Sequence, residues 1–427
     1  PVISIFLFSL IHMSSLSDKL KSLGVKVGAK DLPPTTTRRS YPIEEILEGD
    51  FLQTPYGQVF AVESHYPPEH RQGVGLLRLD TSLDTIAAWA NDPRLLELDP
   101  TEFVFLDTET SGLAGGSGTY AFLIGVGRFH GNGFHLAQFF MRDPIEETAQ
   151  LIALLSFLGD YRGLVTFNGK SFDIPLLNTR FITNGEQSPF GRATHLDLLP
   201  LARRLWRDRL PSRALSFLEE AVLGAKRTEE DVPGWLIPNL YFDYLRSGDA
   251  RPLKNVFYHN AMDIISLAAL LNHMATMLEN PLEGAQKHAI DQIAIAKLLE
   301  DLGQLDEAAH LYANGLDQDL PPEISSTAIQ RWSFMEKRRE NFALALKLWQ
   351  IAADAGEIYA FIELAKYYEH RQQSYQEAIV WTKKAIDLVT APGSTGFETR
   401  HWLPELDHRL NRLERKLSRS NGLDEQD

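Results

Sequence analysis

Asp107 and Glu109 stand one residue apart, directly after the apolar run Phe103-Val104-Phe105-Leu106. Side chains alternate across a strand with period two, so a buried strand ending this way sends both carboxylates to the same side. Two like charges side by side are costly unless a positive charge sits between them. A divalent cation supplies that charge, and carboxylate oxygens suit Mg²⁺ or Mn²⁺. The plainer reading of the pair is a strand end with solvated acids. A glycine-rich turn, Ser111 to Gly118, follows at once.

Two later segments add acids in matching positions. Leu164-Val165-Thr166-Phe167 reads as a second short buried strand and runs into Asn168-Gly169-Lys170-Ser171-Phe172-Asp173. Val256 to Leu267 carries His259, Asn260 and Asp263 at helical spacing. The spacing therefore predicts Asp107 and Glu109 on a strand, Asp173 at a strand-to-helix junction and Asp263 on a helix. Four converging carboxylates can hold two divalent cations, the arrangement for in-line attack of water on a phosphodiester.

These segments together resemble the ribonuclease H-like superfamily of 3′–5′ exonucleases named for four acids (DEDD), and within it the bacterial YprB-type branch. Asp107 to Leu113 matches the D-x-E-T-T/S-G-L motif of that branch. Asn168 to Asp173 matches N-G-K-x-F-D, and His259, Asn260 and Asp263 match H-N-x-x-D. The resemblance covers roughly residues 95–278. It implies a mixed sheet flanked by helices, and Asp107, Glu109, Asp173 and Asp263 as metal ligands for two Mg²⁺ or Mn²⁺ ions. One departure concerns the third motif. The two main DEDD types carry Tyr four residues, or His five residues, before the last acid, whereas here His259 is four before Asp263 and Tyr258 is five before. A histidine titrating near neutral pH suits the proton-accepting role, so His259 is preferred over Tyr258 as general base.

Further residues are candidates for substrate contact. Thr108 lies between the first two acids, and Gly116 in the glycine-rich turn would permit close approach of the backbone to a nucleotide. Asn168 and Lys170 flank the second motif, where Lys170 offers a point charge to a phosphate. Arg203 and Arg207 belong to a basic run on a helix, which reads either as a solvated face or as a track for a phosphate backbone. Asp197 ends another strand and reads either as an acid behind the metal ligands or as a helix cap.

At 427 residues and 44% hydrophobic content, the chain has room for two or three packed domains. It contains no cysteine, which excludes disulfides, thiolate zinc sites and cysteine nucleophiles, and a cytoplasmic setting is expected. A net charge of −15 argues against an extended nucleic-acid surface and for short, metal-mediated contact with a strand end. Residues 1–12 are apolar but too short to span a bilayer, and Met13 reads as the start; no membrane segment is expected.

The expected organisation begins with a disordered or misplaced start and linker over 1–45. A small β-containing extension over 46–100 includes a hairpin near 50–64. The ribonuclease H-like α/β domain spans 101–278. An all-α region of tetratricopeptide (TPR)-like repeats follows over 279–420, and a polar tail over 421–427. Ala308, Ala345 and Ala378 lie 37 and 33 residues apart, close to the roughly 34-residue TPR period. The expected function is a metal-dependent 3′–5′ exonuclease acting on single-stranded ends of DNA or RNA, with the repeats engaging a protein partner or positioning the domain. The alternatives are a non-catalytic nucleic-acid or protein-binding adaptor and a structure-specific endonuclease.

Overall fold

The computed structural model describes residues 41–112, 118–131, 133–282, 288–392 and 396–423. Residues 1–40, Gly116 with its turn and the last four residues lie outside these. So, therefore, do most of the expected start and linker, the glycine contact to a nucleotide and most of the polar tail.

Among the described residues, nine strands form where apolar residues alternate or run together: β1 (Asp50–Thr54), β2 (Gly57–Tyr66), β3 (Arg71–Gln72), β4 (Gly75–Leu76), β5 (Phe103–Thr110), β6 (Ala121–His130), β7 (Gly133–Phe140), β8 (Gly163–Thr166) and β9 (Thr194–Asp197). Seven of them make one sheet in the order β1-β2-β7-β6-β5-β8-β9. The strands from β1 through β5 in that order pair antiparallel, while β5–β8 and β8–β9 pair parallel. The hairpin expected as a neighbouring extension is thus the outer edge of the same sheet, since β2 pairs with β7 from Phe60↔Phe140 to Tyr66↔Phe134.

The helices are α1 (Asp84–Ala90), α2 (Glu147–Leu158), α3 (Asp173–Thr183), α4 (Leu198–Trp206), α5 (Leu215–Leu218), α6 (Ile237–Ser247) and α7 (Leu253–Glu279). They continue with α8 (Ala289–Asp301), α9 (Leu305–Leu316), α10 (Pro322–Arg338), α11 (Phe342–Asp354), α12 (Ile358–His370), α13 (Tyr375–Thr390) and α14 (Gly396–Leu423). Alternation along β5 divides them between the two faces of the sheet. Val104 and Leu106 join the core formed with α2 and α3, through Leu151, Leu154, Leu177 and Phe181. Phe103 and Phe105 join the opposite core, with α4 and α7. Fully burying one such Leu or Phe contributes about 1.5–3 kcal/mol, so these two sets fix the register of β5.

The α4/α7 core does not stop at the sheet. It continues without a break into α8–α10, through Ile293, Leu298, Leu311, Tyr312 and Met335. From α11 onward a separate cluster is built around Ala345, Trp349, Leu364 and Ala385. The C-terminal half is all helical, with α8/α9, α10/α11 and α12/α13 packed as consecutive pairs. Among the described residues, α7 alone has the length and hydropathy to cross a membrane, a match not expected from the sequence. Its most apolar window is 72% buried within the protein, as befits a core helix.

Candidate active site

The β5–β8 pairing ends at Phe105↔Val165, although β5 runs on to Thr110. The last half of β5 therefore has an open side at the carboxyl end of the sheet, where α/β folds place ligands. Asp107 and Glu109 continue the alternation of Phe103 and Phe105 and face α7. Glu109 is buried and Asp107 half-buried.

On α7, His259, Asn260 and Asp263 are turned to these acids. Ligand atoms of Glu109, His259 and Asp263 all lie within 4.8 Å of one another, an arrangement that could hold a metal ion. Asn260 is completely buried. Its Nδ2 donates to Asp107 Oδ2 at 3.0 Å, and its Oδ1 accepts from Gln138 Nε2 at 3.0 Å. Asp173 arrives from the other side of the sheet as the first residue of α3, where a helix N-terminus favours a negative charge. Thr108, between the paired acids, faces that side and donates through Oγ1 to Asp173 Oδ1 at 2.5 Å. Its place is therefore behind an acid rather than toward solvent.

The four acids act on one another electrostatically. Burial, then the charges of Asp263 and Asp173, push Asp107 and Glu109 well above the usual carboxylate range. Burial likewise raises Asp173 to about 6, against the hydrogen bond from Thr108. Such acids bind protons tightly unless a cation replaces them.

A residue that the sequence motifs do not include stands beside them. Arg227 is buried at the end of a loop entered through a π turn, Glu219–Leu223, which closes at Gly224 with φ +68°. Its guanidinium pairs with Asp263 and, at 2.8 Å, with Glu219. Burial opposes its charge, but Asp263 and Glu219 more than compensate and hold its pKa above the ordinary value. Asp231, on the same loop, places Oδ1 2.7 Å from His259 Nδ1, while His259 Nε2 lies 3.5 Å from Asp263 Oδ2. His259 Nδ1 thus has two neighbours of opposite demand, the Asp231 carboxylate, which accepts, and Arg227 Nη1 at 3.2 Å, which donates, while Nε2 is turned toward the acids. Tyr258 takes a different part: its hydroxyl accepts the backbone N–H of Thr228 at 3.0 Å and pins the loop. Lys226 to Asp231 is a charged run between helices, and such runs ordinarily mark solvated loops. The only signal for its role was a glycine turn, Gly224, shortly before the arginine.

Asp197 binds the second motif to the scaffold. It caps α4 through Leu199 N at 3.1 Å, and it accepts the backbone N–H groups of Asn168 at 2.7 Å and Lys170 at 3.1 Å. Asn168 adopts φ +68°, which asparagine tolerates, and the loop then exposes Lys170 and Phe172 beside Asp173. Arg203 and Arg207 are not gathered with the acids. They are exposed farther along α4, beside α8.

A family model described as the RNase_H superfamily matches residues 104–275, which include all four acids, Arg227 and His259. "Uncharacterized protein YprB" of Bacillus subtilis (strain 168) is 30% identical over 369 residues, covering 83% of this chain and 86% of that one. The chain belongs to the family of YprB and carries an RNase_H-superfamily domain. Its RNase H domain lies within the sheet that β1 and β2 extend, and α8–α14 follow it. Among solved structures, the family B DNA polymerase from the hyperthermophilic archaeon Pyrobaculum calidifontis shares 17% identity over 50% of this chain and 29% of its own, with a TM-score of 0.31. A likeness of that extent carries nothing about activity.

Proposed function

We propose that the protein is a metal-dependent 3′–5′ exonuclease acting on single-stranded nucleic-acid ends. The observation carrying this reading is the meeting of Asp107, Glu109, Asp173 and Asp263 at the open end of β5, with Asp107, Glu109 and Asp173 pushed toward protonation by burial, and the first two also by the charges of Asp263 and Asp173. The donor set fits hard divalent cations, Mg²⁺ or Mn²⁺, because it is built of carboxylate oxygens with a single imidazole beside them. These four acids would hold the ions, and a bound pair supplies Lewis-acid activation of water and charge stabilisation at the leaving 3′ oxygen.

The chain's own groups do the rest. His259 accepts the proton of the attacking water at Nε2, and Asp231 stabilises the imidazolium through Nδ1–H. Asn260 and Thr108 orient Asp107 and Asp173 by donating to them. Lys170, held on a loop fixed by Asp197, meets a phosphate of the strand.

We read α8–α13 as three TPR-like pairs that recruit a partner or position the nuclease. Ala308, Ala345 and Ala378 support this, since each is fully buried on the second helix of its pair. Activity is tested with 5′-labelled single-stranded DNA and RNA, in Mn²⁺ and in EDTA. A ladder shortening one nucleotide at a time in Mn²⁺ is expected. Internal cuts alone point to an endonuclease, and binding without cleavage to an adaptor.

A further inference from the structure

The nuclease reading gives a role to one exposed basic residue, Lys170, and leaves Arg203 of α4 and Arg207 just past its end without a task. Leu198, Leu201, Ala202 and Leu205 turn the apolar stripe of α4 into the core, so Arg203, Arg204 and Arg207 point outward. There α8 lies alongside and adds Lys297. A cleft of about 290 Å³ opens between the two helices, lined by these four cations, Asp208 and Trp89.

Helix docking does not explain this charge. The seam is already tied by Arg209 to Asp291 at 2.7 Å and by Arg204 to Asp301. Lys297 is 3.2 Å from Asp208. Arg203 makes no ion pair among the described residues, and Arg207 has only its neighbour Asp208, at 3.6 Å, with its side chain 75% exposed. Four cations against Asp208 and Asp301 leave a local charge of +2 in a chain of net −15. Guanidinium groups match phosphate with paired donors, and a half-buried tryptophan adds a flat surface. A basic groove with an aromatic face is the chemistry that tracks a single strand.

The helix that leads to the cleft starts at the second motif. α4 starts at Asp197, the carboxylate that fixes Lys170 beside the site. At 1.5 Å per residue, Arg203 and Arg207 stand about 9 and 15 Å farther along the helix axis. We propose that the cleft between α4 and α8 is a channel for the sugar–phosphate backbone of the single strand whose end enters the acidic site. This rests on the nuclease reading and assigns the seam between sheet and helices a part in it.

The test uses the full chain carrying Asp107→Asn, to prevent hydrolysis, with and without Arg203→Ala plus Arg207→Ala. Fluorescence anisotropy with labelled 4- and 20-nucleotide single strands in Mg²⁺ is followed against salt concentration. The arginine pair should weaken binding of the longer strand about tenfold. It should also reduce the slope of log K against log salt by about 1.4, or roughly 0.7 for each phosphate no longer neutralised. The advantage of 20 over 4 nucleotides should shrink accordingly. Unchanged melting by circular dichroism secures the comparison, since both side chains are exposed. Equal affinity and slope with and without the arginines overturn the channel while leaving the nuclease reading intact. Failure of the parent protein to bind either strand overturns both. Arginine-dependent binding of AMP with no gain from strand length replaces the channel by a small-anion site.

Discussion

Asn260 occupies the space that a side chain on Gly125 would need: a Cβ there would lie 2.1 Å from Asn260 Oδ1. Gly125 is also the register partner of Asp107 across β5–β6. The missing side chain lets a buried amide reach under the strand and hold the first acid.

Gly125→Ala should therefore act on the site through Asn260. Overpacking of this kind typically costs about 1–3 kcal/mol. Asn260→Ala strips a partner from both Gln138 and Asp107, at a further cost of about 1–3 kcal/mol for buried groups left unpaired. Urea unfolding of both variants measures this. Wild-type stability of Gly125→Ala contradicts the packing argument.

The pair Asp231–His259 predicts a kinetic effect distinct from that of the base itself. Asp231→Asn should lower kcat by about 10–100-fold, the usual effect of losing a group that orients a functional histidine. His259→Ala should lower it by about 10²–10⁴-fold. Tyr258→Phe should cost less than either, because Tyr258 pins a loop. Steady-state kinetics on a labelled oligonucleotide rank the three. Inactive Tyr258→Phe beside fully active His259→Ala would reverse the assignment.

Much of this site was legible in the chain. The acids of β5 stood out because an apolar run ended in a period-two pair, and α7 because its polar residues interrupted a long apolar helix. The Lys226–Asp231 loop was not legible. Its charges look solvated until the π turn folds Arg227 inward against Asp263 and Glu219. The edge strands were recognisable as a hairpin, but their membership in the main sheet depends on pairing with β7, some eighty residues later. Arg204 and Arg209 belong to the run that reads as a solvated face or a phosphate track, and their pairing with Asp301 and Asp291 of α8 was not legible. No local pattern encodes such non-local partners.

The raised acids predict how stability follows pH. Asp173 has a folded pKa of about 6, above its unfolded value near 3.8. Its proton therefore stabilises the fold fully below about pH 4, and that contribution is lost as pH rises through about 6. Asp107 and Glu109 shift in the same direction. Without metal, these groups should raise Tm on acidification from pH 7.5 toward 5. Mn²⁺ should raise Tm by mass action at pH 7.5 and much less at pH 5, where protons compete. Scanning calorimetry in EDTA and in Mn²⁺ checks both. An equal Mn²⁺ shift in wild type and Asp107→Ala would argue against a site at these acids.

The shared core predicts where the chain can be cut. The sequence places a domain boundary near residue 278. Ending there exposes the faces of α4 and α7 that α8–α10 cover, and leaves Arg209 without Asp291. A 41–278 fragment should aggregate or melt well below a 41–339 fragment. Equal, cooperative melting of the two contradicts a continuous core.

If the four acids form a cation-dependent hydrolytic centre, neither Asp107→Asn nor Asp263→Asn should be tolerated. Each substitution removes a charge with little change of volume. Hydrolysis of a 5′-labelled single strand in Mn²⁺ is compared with wild type, all three proteins having matching circular dichroism. Cleavage by wild type, its loss in EDTA and its loss in both variants is the predicted result. Cleavage by either variant at the wild-type rate, or wild-type cleavage that persists in EDTA, would contradict the account.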